Sequence, residues 1–433
     1  MINDHYDHHD IDPLALEPVD GGCAESQLLL SRRNMLGLSV SLFSLAFAPR
    51  IASAAGAADP RLLIVLLRGG VDGLNVLPFD HASYSPASRG TLCLDLAKQL
   101  DVGGGFKLNA VMKNFHDMFT RDNARIILPI APPLQTRSHF DCAFNLENGL
   151  AASARSDSGW LNRLFATIPG QKKIQLGGKP LQIGNTPVIL SGSEPVFSWS
   201  PWVYSPDFFK SPAAARLTSI YDTAAPQLGR VLKDGAATDA AAVGRPEDKP
   251  YSDALQRSFI GAARLLGADT GPRVAVLTVD NFDTHVAASA NTAKVLSNFD
   301  TSLGLFRDRA MSLGYWDKTV VVCVSEFGRT VSDNGNGGCD HGIGTTALLA
   351  GGAIKKRGII GEWPNLLAPG ALAANKDVYA RYDTRDLFKA VIKEHLDIAD
   401  AGTNTQFINK DVFPGVDMLP TGISKLSNVL GGA

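Results

Sequence analysis

Arg61-Leu62-Leu63-Ile64-Val65-Leu66-Leu67 is an unbroken apolar run of strand length, and Arg68-Gly69-Gly70-Val71-Asp72-Gly73-Leu74-Asn75 follows it at once. A half-exposed strand alternates apolar and polar residues; this one does not. A run apolar on every position suits a strand buried on both faces, as in a parallel sheet covered by helices on either side. Four more runs read the same way: 124–130, 273–279, 318–324 and 345–350. Helical spacing falls between them, over 111–119, 252–266, 286–313 and 384–396. The alternation predicts a three-layer α/β/α sandwich with a mostly parallel, doubly wound sheet. One domain over residues 60–400 accommodates it, with 401–433 as a C-terminal tail that packs on the domain or is partly disordered. The stretches 186–212 and 235–250 read as insertion or cap loops.

Residues 1–54 read differently. Ser31-Arg32-Arg33-Asn34-Met35-Leu36 is a twin-arginine pattern, an apolar stretch broken by Gly37, Ser39, Ser41 and Ser44 follows, and Ile51-Ala52-Ser53-Ala54 offers a small-residue cleavage site. The run is too short and too serine-rich to span a bilayer, which predicts a twin-arginine (Tat) signal peptide. The expected location is periplasmic or secreted, with the Tat export machinery as a partner and no stable membrane span. The whole chain has 433 residues, 41 basic and 43 acidic. The leader holds three arginines and seven acids, so the rest carries a slight positive balance. Nothing there points to nucleic acid. Cys93, Cys142, Cys323 and Cys339 show neither metal nor disulfide spacing.

Polar clusters follow four of the five runs, where ligands gather in an open α/β sheet. The first is the Arg68–Asn75 loop. The second is Gln135-Thr136-Arg137-Ser138-His139-Phe140-Asp141, a hydroxyl, a histidine and an acid at a helix start. The third is Asp280-Asn281-Phe282-Asp283-Thr284-His285, where Asp283 and His285 point the same way in extended chain and can chelate one cation. The fourth is Ser325-Glu326-Phe327-Gly328-Arg329, with Asp340-His341-Gly342 beyond it. Plain alternatives stand beside these: Asp72 or Asp141 as a cap, Ser138 as a helix N-cap, Glu326 and Arg329 as a turn with an ion pair. Of six histidines after the leader, His139, His285 and His341 flank carboxylates after strands, whereas His81, His116 and His395 read as structural.

These motifs resemble the DUF1501 family of exported proteins, placed in the alkaline phosphatase-like superfamily of phosphatases and sulfatases. The matching pieces include Leu67–Asn75, Arg137–Asp141, Glu147-Asn148-Gly149, Gly159–Arg163, Phe282–His285, Ser325–Thr330 and Asp340–Gly342. The resemblance implies an alkaline phosphatase-like fold and position-by-position roles. Asp72 would be the carboxylate near the end of the first strand, Ser138 the hydroxyl nucleophile with His139 beside it, Asp283 and His285 a metal pair, and His341 a later ligand. Phe327 stands where the strand-end motif has a metal histidine, so one site of the usual metal pair is depleted unless His139 or Asp340 substitutes. The Cys/Ser-x-Pro-x-Arg motif of formylglycine sulfatases is absent.

The expected chemistry is metal-dependent hydrolysis of phosphate or sulfate esters, on an anionic small molecule or a glycan. One divalent cation, Zn or Mn from the mixed N/O donors, would be held by Asp283, His285 and His341 with Glu326 or Asp340 nearby. Arg68, Arg137 and Arg329 would face the ester oxygens. A single centre requires the three histidines to lie within about 10 Å of one another. The alternative is a non-catalytic exported binding protein that keeps the fold and a structural metal; a metal-dependent phosphomutase fits export less well.

Overall fold

The computed structural model describes residues 59–151, 156–184, 187–200, 211–243, 253–269, 271–398, 408–414 and 423–432. The expected leader and Tat signal, the stretch 244–250, residues 201–210 and about half of the C-terminal tail lie outside the described residues, while 235–243, expected as loop, is helical.

The apolar runs form a central sheet. Its strands are β1 (Arg61–Leu67), β2 (Ala124–Ala131), β3 (Leu181–Ile183), β4 (Phe197–Trp199), β5 (Val274–Val279), β6 (Thr319–Ser325), β7 (Thr345–Ala350), β8 (Gly358–Ile360) and β9 (Tyr382–Asp383). Their spatial order is β8-β2-β7-β6-β1-β5-β3-β4, with β9 also paired to β2. β1 lies between β5 and β6, parallel to both. The direction of one strand departs from expectation: β7 runs antiparallel to β2 and to β6. A strand buried on both faces looks alike in either direction, so the Thr345–Ala350 run carried no sign of this.

Helices α1 (Lys113–Thr120), α2 (His139–Asn148), α3 (Trp160–Thr167), α4 (Pro212–Ala224), α5 (Pro226–Val243), α6 (Ala254–Gly267), α7 (Ala288–Ser312) and α8 (Thr384–Glu394) complete the longer elements. Alternate residues of β1 serve two cores, as the period of two dictates. Leu63, Val65 and Leu67 join Phe115 of α1, Phe259 of α6 and Phe299, Leu303 and Phe306 of α7. Leu62, Ile64 and Leu66 join Leu164 and Phe165 of α3 and Leu387, Phe388 and Val391 of α8. The result is a mostly parallel sheet between two helical layers, an α/β/α sandwich. Leu426, Val429 and Leu430 of the tail are buried in the second core. No described helix is long and apolar enough to cross a membrane.

One edge of the sheet collects the polar loops. The carboxyl ends of β1, β5 and β6 lead to Arg68, Asp280 and Glu326, that of β2 leads toward α2, and the antiparallel β7 starts just after His341. The loops are laced together through backbone: Phe282 N donates to Arg68 O at 3.0 Å, Gly342 N to Gly328 O at 2.8 Å, and Cys339 N to Thr284 O at 3.3 Å. Gly69 (φ 114°) is needed there, since a Cβ would lie 2.4 Å from Asp283 N.

At the opposite edge, His395 follows α8 and donates from Nε2 to Arg61 O at 2.8 Å. Burial holds its pKa down to about 4. The fold keeps this ring neutral, while the unfolded chain protonates it near its ordinary value of about 6.5. Its contribution to stability is therefore complete above pH 6.5 and is lost as the pH falls toward 4. Urea unfolding at pH 7 and pH 5 should show His395→Gln losing less stability than wild type over that interval, by on the order of 1–2 kcal/mol. Equal pH dependence in the two proteins would rule this out.

Candidate metal centre

His139 opens α2, whose N-cap is Ser138. Asp283 and His285 come from the loop after β5, and His341 from the turn before β7. The three rings converge: His139 and His341 have centroids 4.3 Å apart, His285 and His341 4.7 Å. That is well inside the distance a single centre requires.

The tautomers follow from the outer partners. His139 Nδ1 faces Glu326 Oε1 at 2.9 Å, His341 Nδ1 faces Arg137 O at 2.8 Å, and His285 Nδ1 faces Asp340 Oδ1 at 3.2 Å. Each acceptor fixes a proton on Nδ1 and leaves Nε2 with a lone pair. All three Nε2 atoms then turn to one carboxylate oxygen: Asp283 Oδ1 lies 3.5 Å from His139 Nε2, 3.0 Å from His285 Nε2 and 3.4 Å from His341 Nε2. His139 Nε2 is buried with no hydrogen-bond partner among the described residues. His285 and His341 bring their Nε2 atoms to 2.9 Å of each other, an approach two lone pairs resist without a proton or cation between them. Three imidazole nitrogens and a carboxylate aimed at one point, each ring braced from behind, is the donor arrangement of a divalent-metal site. Among the described residues, His139, Asp283 and His341 form a group whose donor atoms all lie within 4.8 Å of one another.

Arg329 dominates the electrostatics of Asp283. Burial pushes the Asp283 carboxyl up, but the hydrogen bond and charge of Arg329, with His285 and His139, outweigh it and hold the group down to about 2. The Glu326 hydrogen bond raises the pKa of His139, whereas burial lowers that of His341. Glu326 is itself buried, yet hydrogen bonds from His139 and the backbone, Gly69 N among them at 2.7 Å, keep its pKa below the usual value.

The remaining expected site residues fall elsewhere. Glu326 and Asp340 touch the outer, Nδ1 nitrogens of His139 and His285 and lie behind the rings, away from the Nε2 atoms. Asp72 takes no part in the His139–Asp283–His341 group: its Oδ2 pairs with Arg89 Nη2 at 2.6 Å and its Oδ1 accepts Asn75 N at 3.2 Å. A fully buried guanidinium needs a fixed counter-charge, and Asp72 supplies it. The Ser138 hydroxyl accepts Asp141 N at 3.4 Å as a helix cap. Arg137 reaches away to the buried Asp377 and gives the centre only its backbone carbonyl.

Arg329 faces protein instead of ligand. Its side chain is wholly buried and donates to the carbonyls of Gly69, Gly70, Phe282 and Cys339 and, at 2.5 Å, to Asp283 Oδ1. Arg68 pairs with the buried Glu147 yet still lines a cleft of about 1030 Å³ together with His139, Asp283 and Glu326. Phe327 packs 4.8 Å from both His139 and His341 and offers no donor. Sequence reasoning passed over Phe140, which follows His139 and is 90% exposed in the cleft wall. An apolar residue in a polar motif was the available signal.

A family model described as "Protein of unknown function (DUF1501)" matches residues 133–406, which hold every donor of the cluster. The chain belongs to the DUF1501 family. No curated protein sequence matches it. Among solved structures, this DUF1501 protein is similar to the PsFucS1 sulfatase from Pseudoalteromonas sp., at 10% identity over 93% of this chain and 76% of that one, TM-score 0.36. It is also similar to a protein in the alkaline phosphatase superfamily from Vibrio parahaemolyticus, at 12% identity over 78% and 72%, TM-score 0.30. A third is the lipoteichoic acid synthase LtaP from Listeria monocytogenes, at 9% identity over 73% and 74%, TM-score 0.33.

Proposed function

We propose that this chain is a metal-dependent hydrolase of phosphate or sulfate esters that acts after export. The observation that carries the reading is the convergence of three Nε2 atoms on Asp283 Oδ1, an aspartate that lines a cleft together with His139 and Arg68. His139, Asp283, His285 and His341 would hold the cation, Zn or Mn by the donor chemistry. When bound, such an ion supplies Lewis-acid polarisation of an ester oxygen and lowers the pKa of water.

The protein's own groups do the rest. Glu326, Asp340 and the Arg137 carbonyl hold the imidazoles in register. Arg329 keeps the Asp283 carboxylate ionised and aimed. Arg68, steadied by Glu147, turns its remaining N–H groups to the anionic oxygens of the ester. Ser138 is engaged as a cap, so water from the cleft is the proposed nucleophile. The twin-arginine segment before residue 55 supports export through the Tat machinery to the periplasm or beyond.

Metal analysis of the purified protein, followed by turnover of aryl phosphate and aryl sulfate, tests this. Bound metal, with turnover that survives Ser138→Ala, is expected. Phe327 favours a second reading, a non-catalytic exported binding protein, because it places hydrocarbon against two of the donor rings. Stoichiometric metal with no turnover of either ester would select it.

A further inference from the structure

The turn Asp280–Asp283 lines two clefts. One side faces the cleft of about 1030 Å³ already described; the other faces a second of about 950 Å³ between α6 and α7. Asp280, Asn281 and Asp283 belong to both. The Asp283 carboxylate therefore stands where two open clefts meet, not at the end of a blind one. Each matches the upper end of the size range of small-molecule sites, roughly 300–1,000 Å³. A lone phosphate or sulfate monoester of a small alcohol would leave most of this space to water.

The two sides differ in chemistry. The first cleft has an apolar wall: Phe140, Ala143 and Phe144 from successive turns of α2, with Leu134 and Val188 opposite. Phe140 is 90% exposed, and an aromatic ring held bare at the mouth of a cleft presents a flat face for stacking. The second cleft is mixed: Asn291, Lys294 and Asn298 along α7 and Asp253 just before α6 offer polar groups, beside the apolar Leu255 and Leu277. Asn298 Nδ2 meets Asp253 Oδ2 at 3.3 Å, a long contact that leaves donor and acceptor capacity in the cleft. Lys294 is exposed and makes no hydrogen bond or ion pair with the described residues. A stacking face on one side, and amides, carboxylates and an ammonium on the other, suit a ligand with ring faces and many hydroxyls. The mixed charge of the second cleft, with Asp253 and Asp280 beside Lys294, favours a hydroxyl-rich chain over a dense polyanion there.

We infer that the cleft between α6 and α7 is a second binding site for the hydroxyl-rich part of an extended, ring-bearing anionic ester, so that the ligand straddles the Asp283 turn with its charged group at the metal centre and a ring on Phe140. This rests on the ester-hydrolase reading for the position of the charged group. The chain is engaged on both flanks, and the ester addressed is one within the chain.

Direct binding to the full chain tests the inference, using a sulfated hexasaccharide, the matching disaccharide, inorganic sulfate and an uncharged hexasaccharide. The sulfated hexasaccharide should bind about tenfold or more tighter than the disaccharide, with the uncharged hexasaccharide between that disaccharide and no binding. Lys294→Ala and Phe140→Ala, both exposed and without tertiary partners to lose, should each weaken the hexasaccharide about three- to tenfold while leaving sulfate binding and metal content unchanged. Equal affinity for the two sulfated oligomers, or hexasaccharide binding indifferent to both substitutions, overturns it. Metal content reads the other proposal separately: a metal-free protein that still ranks the oligomers by length keeps the second site and discards the metal centre.

Discussion

Replacing His341 with alanine is expected to strip the purified protein of its metal while leaving it folded. Three Nε2 atoms surround Asp283 Oδ1, and His341 is the one closest to the others: 2.9 Å from His285 Nε2 and edge-on to His139. Its Nδ1 is fixed by the Arg137 carbonyl, so the ring is set before any ion arrives. Alanine removes a ligand and opens a gap that neither Phe327 nor Asp340 can fill with a donor at the same point. Glu326→Gln should give the graded result, because among the cluster's residues it touches only the back of His139 and weakens that brace without deleting a donor. The expected loss for Glu326→Gln is on the order of 10–100-fold in metal affinity, and His341→Ala should exceed it. Elemental analysis after dialysis, with competition by a chromogenic chelator, reads both. Wild-type metal content in His341→Ala would remove the centre from consideration. A reversed order of the two variants would mean that Glu326 is itself a ligand.

The second large effect concerns Arg329, and it is an effect on stability. Its guanidinium is wholly buried and bonded to four backbone carbonyls from three loops as well as to Asp283. Arg329→Met keeps the volume and deletes every one of those donors, leaving several buried carbonyls without partners. The carboxylate of Asp283 keeps solvent contact, but each buried carbonyl left unpaired costs roughly 1–3 kcal/mol, and urea unfolding of the metal-free protein should show a loss of about 3 kcal/mol. Arg329→Lys should recover little, since one ammonium cannot reproduce the planar fork that spans Gly69, Gly70 and Cys339. A loss under about 1 kcal/mol, the range of ordinary surface substitutions, would contradict the bracing role.

The layers of the fold were legible because β1, β2, β5 and β6 are apolar on both faces, and only a strand between two helical layers is built that way. Strands such as Leu181–Ile183 and Tyr382–Asp383 were not, being two or three residues long and paired only through tertiary context. Within the site, the carboxylate–histidine spacing of Asp283 and His285 announced itself, since residues two apart in extended chain share a side. The sequence leaves His139 either as a neighbour of the nucleophile or as a substitute ligand, and the structure turns its Nε2 toward Asp283. What sequence could not show was which cation claims which acid. Asp72 and Asp283 both follow a strand and both meet an arginine, but Arg89 takes Asp72 out of the site whereas Arg329 holds Asp283 in it. That distinction depends on partners 17 and 46 residues away. Phe140 shows the same limit, because exposure belongs to the folded surface and not to the residue type.

The central place of β1 bears on how the chain is made. Leu62 is registered with Val274 on one side and Val320 on the other. Synthesis proceeds at roughly 5–20 residues per second, so the strand leaves the ribosome some 10–40 s before the first of its partners exists. Through that interval Arg61–Leu67, seven residues that end up fully buried, has two bare hydrogen-bonding edges and nothing to pair with. A nascent chain in that state is a ready substrate for chaperones, and the closing of the sheet around its earliest strand is a late, long-range event.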